Sequence, residues 1–128
     1  MSRWVLDASA ILAFLNKEPG TEKVETILAE GAVVSTVNHS EVIAKLIEAG
    51  VPEAEVRIVL GYLNYTVIHF DEQSAWEAAR LRTLTKTAGL SLGDRACLGL
   101  ALQLNLPVAT ADRVWEKLSL KLQIEIVR

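Results

Sequence analysis

Residues 3–16 read RWVLDASAILAFLN, and the order of residue types in this stretch decides the fold. Arg3 to Leu6 is a short apolar run suited to a buried strand. Asp7 follows at once, and Ser9 to Asn16 then carries Ile11, Leu12 and Leu15 on one side of a helix, which Glu18-Pro19-Gly20 stops. A carboxylate just beyond a buried strand is unfavourable unless something cationic meets it. The pattern recurs near the other end, where Pro107-Val108-Ala109 reads as a strand leading into Thr110-Ala111-Asp112.

Between these two units the apolar spacing sets out the other elements. A helix is expected from an N-cap at Thr21 through Val24, Ile27 and Leu28 to Gly31, followed by a strand over Ala32 to Ser35. Asn38 to Ala49 has Val42, Ile43, Leu46 and Ile47 at helical spacing, and Pro52 opens the next helix at the position proline tolerates best. Thr66 to Phe70 reads as a strand, Glu72 to Ala88 as a long helix ending at Gly89, and Asp94 to Asn105 as a densely apolar, buried helix. A short helix over Arg113 to Leu118 and a last strand over Gln123 to Val127 complete the chain. Strands separated by helices need crossovers, and crossovers give an α/β fold with a parallel sheet covered on both faces. Sites in such sheets lie at the carboxyl ends of strands, which is where Asp7 and Asp112 fall.

At 128 residues, with 51% hydrophobic and 23% charged residues, the sequence reads as one domain, 1–128, with a sizeable core. It shows no repeat, low-complexity stretch or like-charge tail. The formal net charge of −3 runs against the usual footprint of a nucleic-acid binder, although an acidic metal site would account for much of it. Lone Cys97, in the run Ala96-Cys97-Leu98, reads as a small buried hydrophobe. There is no signal-like segment and no run of about 18 apolar residues, so a soluble cytoplasmic protein is expected.

Of 16 acids only four are aspartates, and three of these, Asp7, Asp94 and Asp112, join Glu41 as the candidate site. Aspartate is short and rigid, which suits fixed metal geometry, while Glu41, one turn into a helix, is long enough to reach back toward the strand ends. Carboxylates around an open, wet site suit Mg²⁺ or Mn²⁺ better than zinc. Such an ion polarises a phosphoryl oxygen and activates water. Ser9 and Thr110 are the hydroxyls best placed to orient a carboxylate, a water or a phosphate. Each acid also has a plainer reading. Asp7 and Asp112 would cap the helices after them, Ser91 and Asp94 fit a capping box, and Glu41 would lie on a solvated face. Asp71, beside Glu72 and Gln73, reads as an ordinary helix start. Arg95 and Arg113, each next to a candidate ligand, are candidate contacts to substrate phosphates, as are Lys17 and Lys45; solvated charge is the plainer reading of all four and is preferred except at Arg113. His39, two residues from Glu41, is a candidate substrate contact, with a surface or satisfied histidine the preferred reading, and His69 reads as a strand residue. Glycine-rich phosphate loops and the serine elbow are absent.

VLDASAILAFLNKEPG at 5–20, HSEVIAKL at 39–46, LSLGDRACLGLA at 90–101 and VATADRVW at 108–115 together resemble the PIN-domain ribonucleases, in particular the VapC-like toxins of toxin–antitoxin pairs. The resemblance covers nearly the whole chain. It implies a three-layer α/β/α sandwich with a central, mainly parallel sheet of four to five strands. It maps the family's acidic quartet onto Asp7, Glu41, Asp94 and Asp112, and its accessory hydroxyls onto Ser9 and Thr110. It also implies Mg²⁺- or Mn²⁺-dependent cleavage of RNA by water, a homodimer, and inhibition by a small antitoxin. Two other readings stay open: a PIN-like module that binds RNA or protein without cutting, and a phosphatase with Asp7 as nucleophile. The second would profit from another acid where this chain has Ser9.

Overall fold

A computed structural model describes residues 2–128. In chain order the elements are β1 (Trp4–Leu6), α1 (Ala8–Leu15), α2 (Thr21–Glu30), β2 (Ala32–Ser35), α3 (Thr36–Glu48), α4 (Glu53–Leu63), β3 (Thr66–Ile68), α5 (Glu72–Leu84), α6 (Leu92–Leu104), β4 (Val108–Thr110) and β5 (Ile124–Ile126). The five strands form one sheet in the order β3-β2-β1-β4-β5, and every neighbouring pair is parallel.

Successive side chains of a strand point to opposite faces, and this period divides the interior in two. Leu6, Val34 and Ala109 join Ala10, Ile11, Val24 and Val42 on one side. Val5, Val33 and Val108 join Cys97, Leu98 and Trp115 on the other. Strands buried on both faces read as continuous apolar runs, and the runs in this sequence mark such strands.

The strand order explains where a site can form. The chain builds β1, β2 and β3 outward in one direction, then returns to place β4 and β5 on the other side of β1. The order therefore reverses between β1 and β4, and the crevice beyond the carboxyl ends of such a pair is the usual ligand position. Asp7 follows β1 and Asp112 follows β4.

Several boundaries differ from the sequence reading. Helix α3 begins at Thr36, with no loop after β2, because the Ser35 hydroxyl caps it by accepting from the Val37 amide at 3.2 Å. Thr21 is not an N-cap. Gly20 holds that position at φ +102°, where a Cβ would lie 2.5 Å from the Val127 carbonyl oxygen, and the Thr21 hydroxyl instead donates to Glu18 O at 2.6 Å. The helix expected to reach Ala88 ends at Leu84. The Thr85 hydroxyl bonds back to Leu81 O, and the chain tightens into a 3-10 turn over Lys86–Ala88. Pro52 is the residue before α4 rather than its first, and α6 begins at Leu92, so that Asp94 lies inside its first turn. Strand β3 stops at Ile68, which leaves His69 exposed beyond it. Arg113–Lys117 is a 3-10 turn. Among the described residues no helix is long and apolar enough to cross a membrane.

Candidate active site

Asp7 sits where the sequence places it, between β1 and α1, and is only 4% exposed. Its carboxylate caps α1 by accepting from the Ala10 amide at 2.9 Å. The Ser9 hydroxyl donates to it at 2.8 Å and the Thr110 hydroxyl, from the end of β4, at 2.5 Å. Those two hydroxyl oxygens in turn accept from the amides of Ala111 (2.9 Å) and Asp112 (3.0 Å). A small polar network thus stitches the end of β1 to the end of β4. Burial pushes the Asp7 carboxyl up from 3.8 to about 6, against the opposing pull of the Thr110, Ala10 and Ser9 hydrogen bonds; the charge of Asp94 raises it further.

The facing wall is built by α3 and the first turn of α6. Asn38, 1% exposed, donates through Nδ2 both to Glu41 Oε1 (2.9 Å) and to Gly93 O (3.0 Å), tying the two helices together. The exposed Glu41 carboxylate lies directly over Gly93, where a Cβ would come within 2.5 Å of its Oε2. Glycine disfavours a helix; here its missing side chain makes room for an acid from another element. Asp94 completes the capping box by accepting from the Ser91 amide at 3.0 Å, and Asp112 caps its 3-10 turn by accepting from the Val114 amide at 3.0 Å.

The four acids, with Ser9, Asn38 and Lys45, line a single cleft of about 200 Å³. Larger depressions lie between α3 and α4 and beside residues 17–23, but neither gathers these acids. Beneath the cleft, burial holds the Cys97 thiol up, and the charges of Asp7, Asp94 and Glu41 add to this, so three of the acids act on one point. Cys97 is therefore a neutral buried group.

Ser9 lines the cleft, and Thr110 lies buried behind Asp7. Arg95 and Arg113 do not line it. The Arg95 guanidinium turns to α5 and donates to Ala78 O at 3.0 Å, while Arg113 reaches Arg128 O at 3.2 Å and Glu116 at 3.7 Å. Lys45 is in the cleft, and Lys17 is not. His39 pairs with the Tyr65 hydroxyl at 2.7 Å in the α3–α4 groove, and Asp71 caps α5 through the Ser74 amide. Sequence reasoning missed Asn38 and Gly93. The available signals were an asparagine one helical turn before Glu41 and a glycine inside a helical first turn.

The donor set fits a hard divalent cation in chemistry, because it offers carboxylate oxygens around an open cleft with Lys45 as the lining cation. Buried Asn38 Oδ1, which has no hydrogen-bond partner, adds an unused acceptor to the wall. The acids are not yet converged: among the described residues no three Asp, Glu, His or Cys side chains form a ready-made metal group. Asp94 and Asp112 still face the backbone amides they cap.

A family model described as the PIN domain matches residues 4–121. The chain belongs to the PIN-domain family. No curated protein matches it in sequence. Among solved structures, this PIN domain is similar to a chain of the DNA-bound VapBC of Salmonella typhimurium, with 22% identity, a TM-score of 0.76 and 98% of each chain covered. It is also similar to a chain of VapBC2 from Rickettsia felis bound to a DNA fragment from their promoter, with 15% identity, a TM-score of 0.74, and 95% of this chain and 96% of that one covered. A third is VapBC-5 of Mycobacterium tuberculosis, a member of the VapBC family of toxin–antitoxin systems, with 21% identity, a TM-score of 0.57, and 100% and 99% covered. At these identities the likeness shows the fold.

Proposed function

We propose that this PIN domain is a metal-dependent endoribonuclease and the toxin of a toxin–antitoxin pair, acting in the cytoplasm as a homodimer. The observation that carries the reading is that four carboxylates, borne by separate elements, line one cleft at the point where the strand order reverses. Family membership and a fold shared with chains of VapBC complexes support the toxin part.

Asp7, Glu41, Asp94 and Asp112 would hold Mg²⁺ or Mn²⁺, with Asp94 and Asp112 turning from their caps to do so. Such an ion, when bound, supplies polarisation of the phosphoryl oxygen and a lowered pKa for the attacking water. The residues of the chain do the positioning. Ser9 and Thr110 hold Asp7 in one orientation and oppose the rise of its pKa. Asn38 aims Glu41, and Gly93 admits it. Lys45, one turn beyond Glu41, is placed to meet a phosphate. Water adds to phosphorus and the P–O3′ bond breaks, leaving 5′-phosphate and 3′-hydroxyl ends. Asp7 is a poor covalent nucleophile, being buried and bonded to two hydroxyls and an amide.

The test is incubation of the antitoxin-free protein with RNA in Mg²⁺ or Mn²⁺, with ends mapped by sequencing and Asp7→Asn alongside. Cleavage only by the unsubstituted protein is expected; RNA left intact in both metals overturns the reading. The capped state of Asp94 and Asp112 favours one competitor, a module that binds RNA or protein without cutting. RNA binding with no Mn²⁺ uptake by calorimetry would select it.

A further inference from the structure

A second pocket of about 200 Å³ lies where the end of α5 and the 3-10 turn after it meet the first turn of α6. Asp94 borders the cleft; Arg95, the next residue and about 100° further round the helix, borders this pocket. Its charged lining is entirely basic: Arg82 near the end of α5, Lys86 in the 3-10 turn, and Arg95. The ion pairs among the described residues involve Lys23, Arg57, Arg80, Arg113 and Arg128, and none of these three. Acids outnumber bases 16 to 13 in this chain, so three cations gathered without a carboxylate are not the average surface. Like charges repel, and a bound anion would relieve that repulsion. Arg95 is anchored, with Nη1 on Ala78 O at 3.0 Å, while its buried Nε has no acceptor.

We propose that this pocket binds a backbone phosphate of the RNA strand whose neighbouring segment enters the acidic cleft. The inference rests on the nuclease reading and supplies what that reading lacks. With four acids and one lysine the cleft itself is net negative until an ion binds, so cations elsewhere would help to capture RNA. Arg95 of the basic pocket adjoins Asp94 of the cleft in the chain, on the next face of α6, and guanidinium forks match phosphate geometry. The net charge of −3 hides this local reversal of sign.

The test measures binding separately from cutting. The full chain carrying Asp7→Asn is titrated into a fluorescent single-stranded RNA without metal, over about 50 to about 200 mM salt. Arg82→Gln with Lys86→Gln, both exposed positions, is compared with Arg3→Gln plus Lys121→Gln, exposed residues that precede β1 and β5 and so lie at the opposite strand ends. The first pair should weaken binding roughly tenfold and flatten the salt slope by about 0.7 for each phosphate left without its cation. The second pair, with the same charge change, should do neither. Equal effects of the two pairs overturn the proposal. So does a loss confined to antitoxin binding, which would assign the pocket to an acidic segment of that partner. RNA that is cut while binding is unmoved by Arg82→Gln with Lys86→Gln overturns the pocket alone. RNA that is never cut overturns the nuclease reading, whatever the binding shows.

Discussion

The two walls of the acidic cleft hold their carboxylates in opposite ways. On the β1–β4 side, Asp7 is 4% exposed and fastened to an amide and two hydroxyls, so its position is a property of the sheet. On the α3–α6 side, Glu41 is exposed, aimed by one hydrogen bond from the Asn38 side-chain amide and admitted by a glycine. The first wall gains a fixed charge but carries an unfavourable desolvation. The second holds its charge with little energetic penalty and depends on space. Loss of function should therefore follow different routes on the two sides, with stability moving on one and not on the other.

The largest contrast is expected from Asp7→Asn. RNA cutting should fall below detection while the metal-free protein becomes more stable. The sign follows from the raised pKa: the folded protein binds the Asp7 proton more tightly than the unfolded chain. Its contribution therefore worsens as pH climbs from 3.8 to about 6 and is fully unfavourable above that. A shift of this size corresponds to about 3 kcal/mol, an upper bound because asparagine keeps only part of the hydrogen bonding. Urea unfolding of both proteins across pH should show a gap that opens through that window and then levels off. A constant gap would mean that the Asp7 wall carries no desolvation.

Gly93→Ala should break the other wall alone. The new methyl displaces the Glu41 carboxylate, a flexible group, and α6 gains helix propensity of up to about 1 kcal/mol. Cutting should fall about 10–100-fold with unfolding unchanged or slightly improved; equal loss of stability and activity would show the two to be coupled there. Ser9→Ala should act on the Asp7 wall more mildly. It removes a bond that lowers the Asp7 pKa and an acceptor for the Ala111 amide, costing about 1–3 kcal/mol. The acid limb of the pH–rate profile should move to higher pH. The smallest effect is that of Glu41→Gln on stability, within about 0.5 kcal/mol by urea titration although cutting is lost.

The inner strands β1, β2 and β4 and the two β–α joints were legible because burial on both faces writes itself as continuous apolar runs, and because an acid after such a run is conspicuous. The capping reading of Asp7, Asp94 and Asp112 and their place in the cleft turned out to be compatible: each caps its own helix or turn and lines the shared cleft. Helix ends were less legible. Thr36 and Val37 are β-branched and fall between the strand and the helix expected from the sequence, yet the Ser35 cap draws them into α3. Thr21 has the chemistry of a cap, but the close approach of Val127 reserves the position for Gly20. The case for Arg95 and Arg113 at the cleft rests on adjacency in sequence, and in a helix or tight turn the neighbour of a site residue points elsewhere.

The sequence by itself determined the alternation of buried strands and amphipathic helices, and with it a parallel sheet with acids after β1 and β4, since periodicity and burial are local properties. Tertiary structure alone decided that Asn38 bridges α3 to α6, that Gly93 makes room for Glu41, and that Arg82, Lys86 and Arg95 share a pocket. Those meetings join residues of different elements, up to 55 positions apart, and no local pattern records an approach between separate elements.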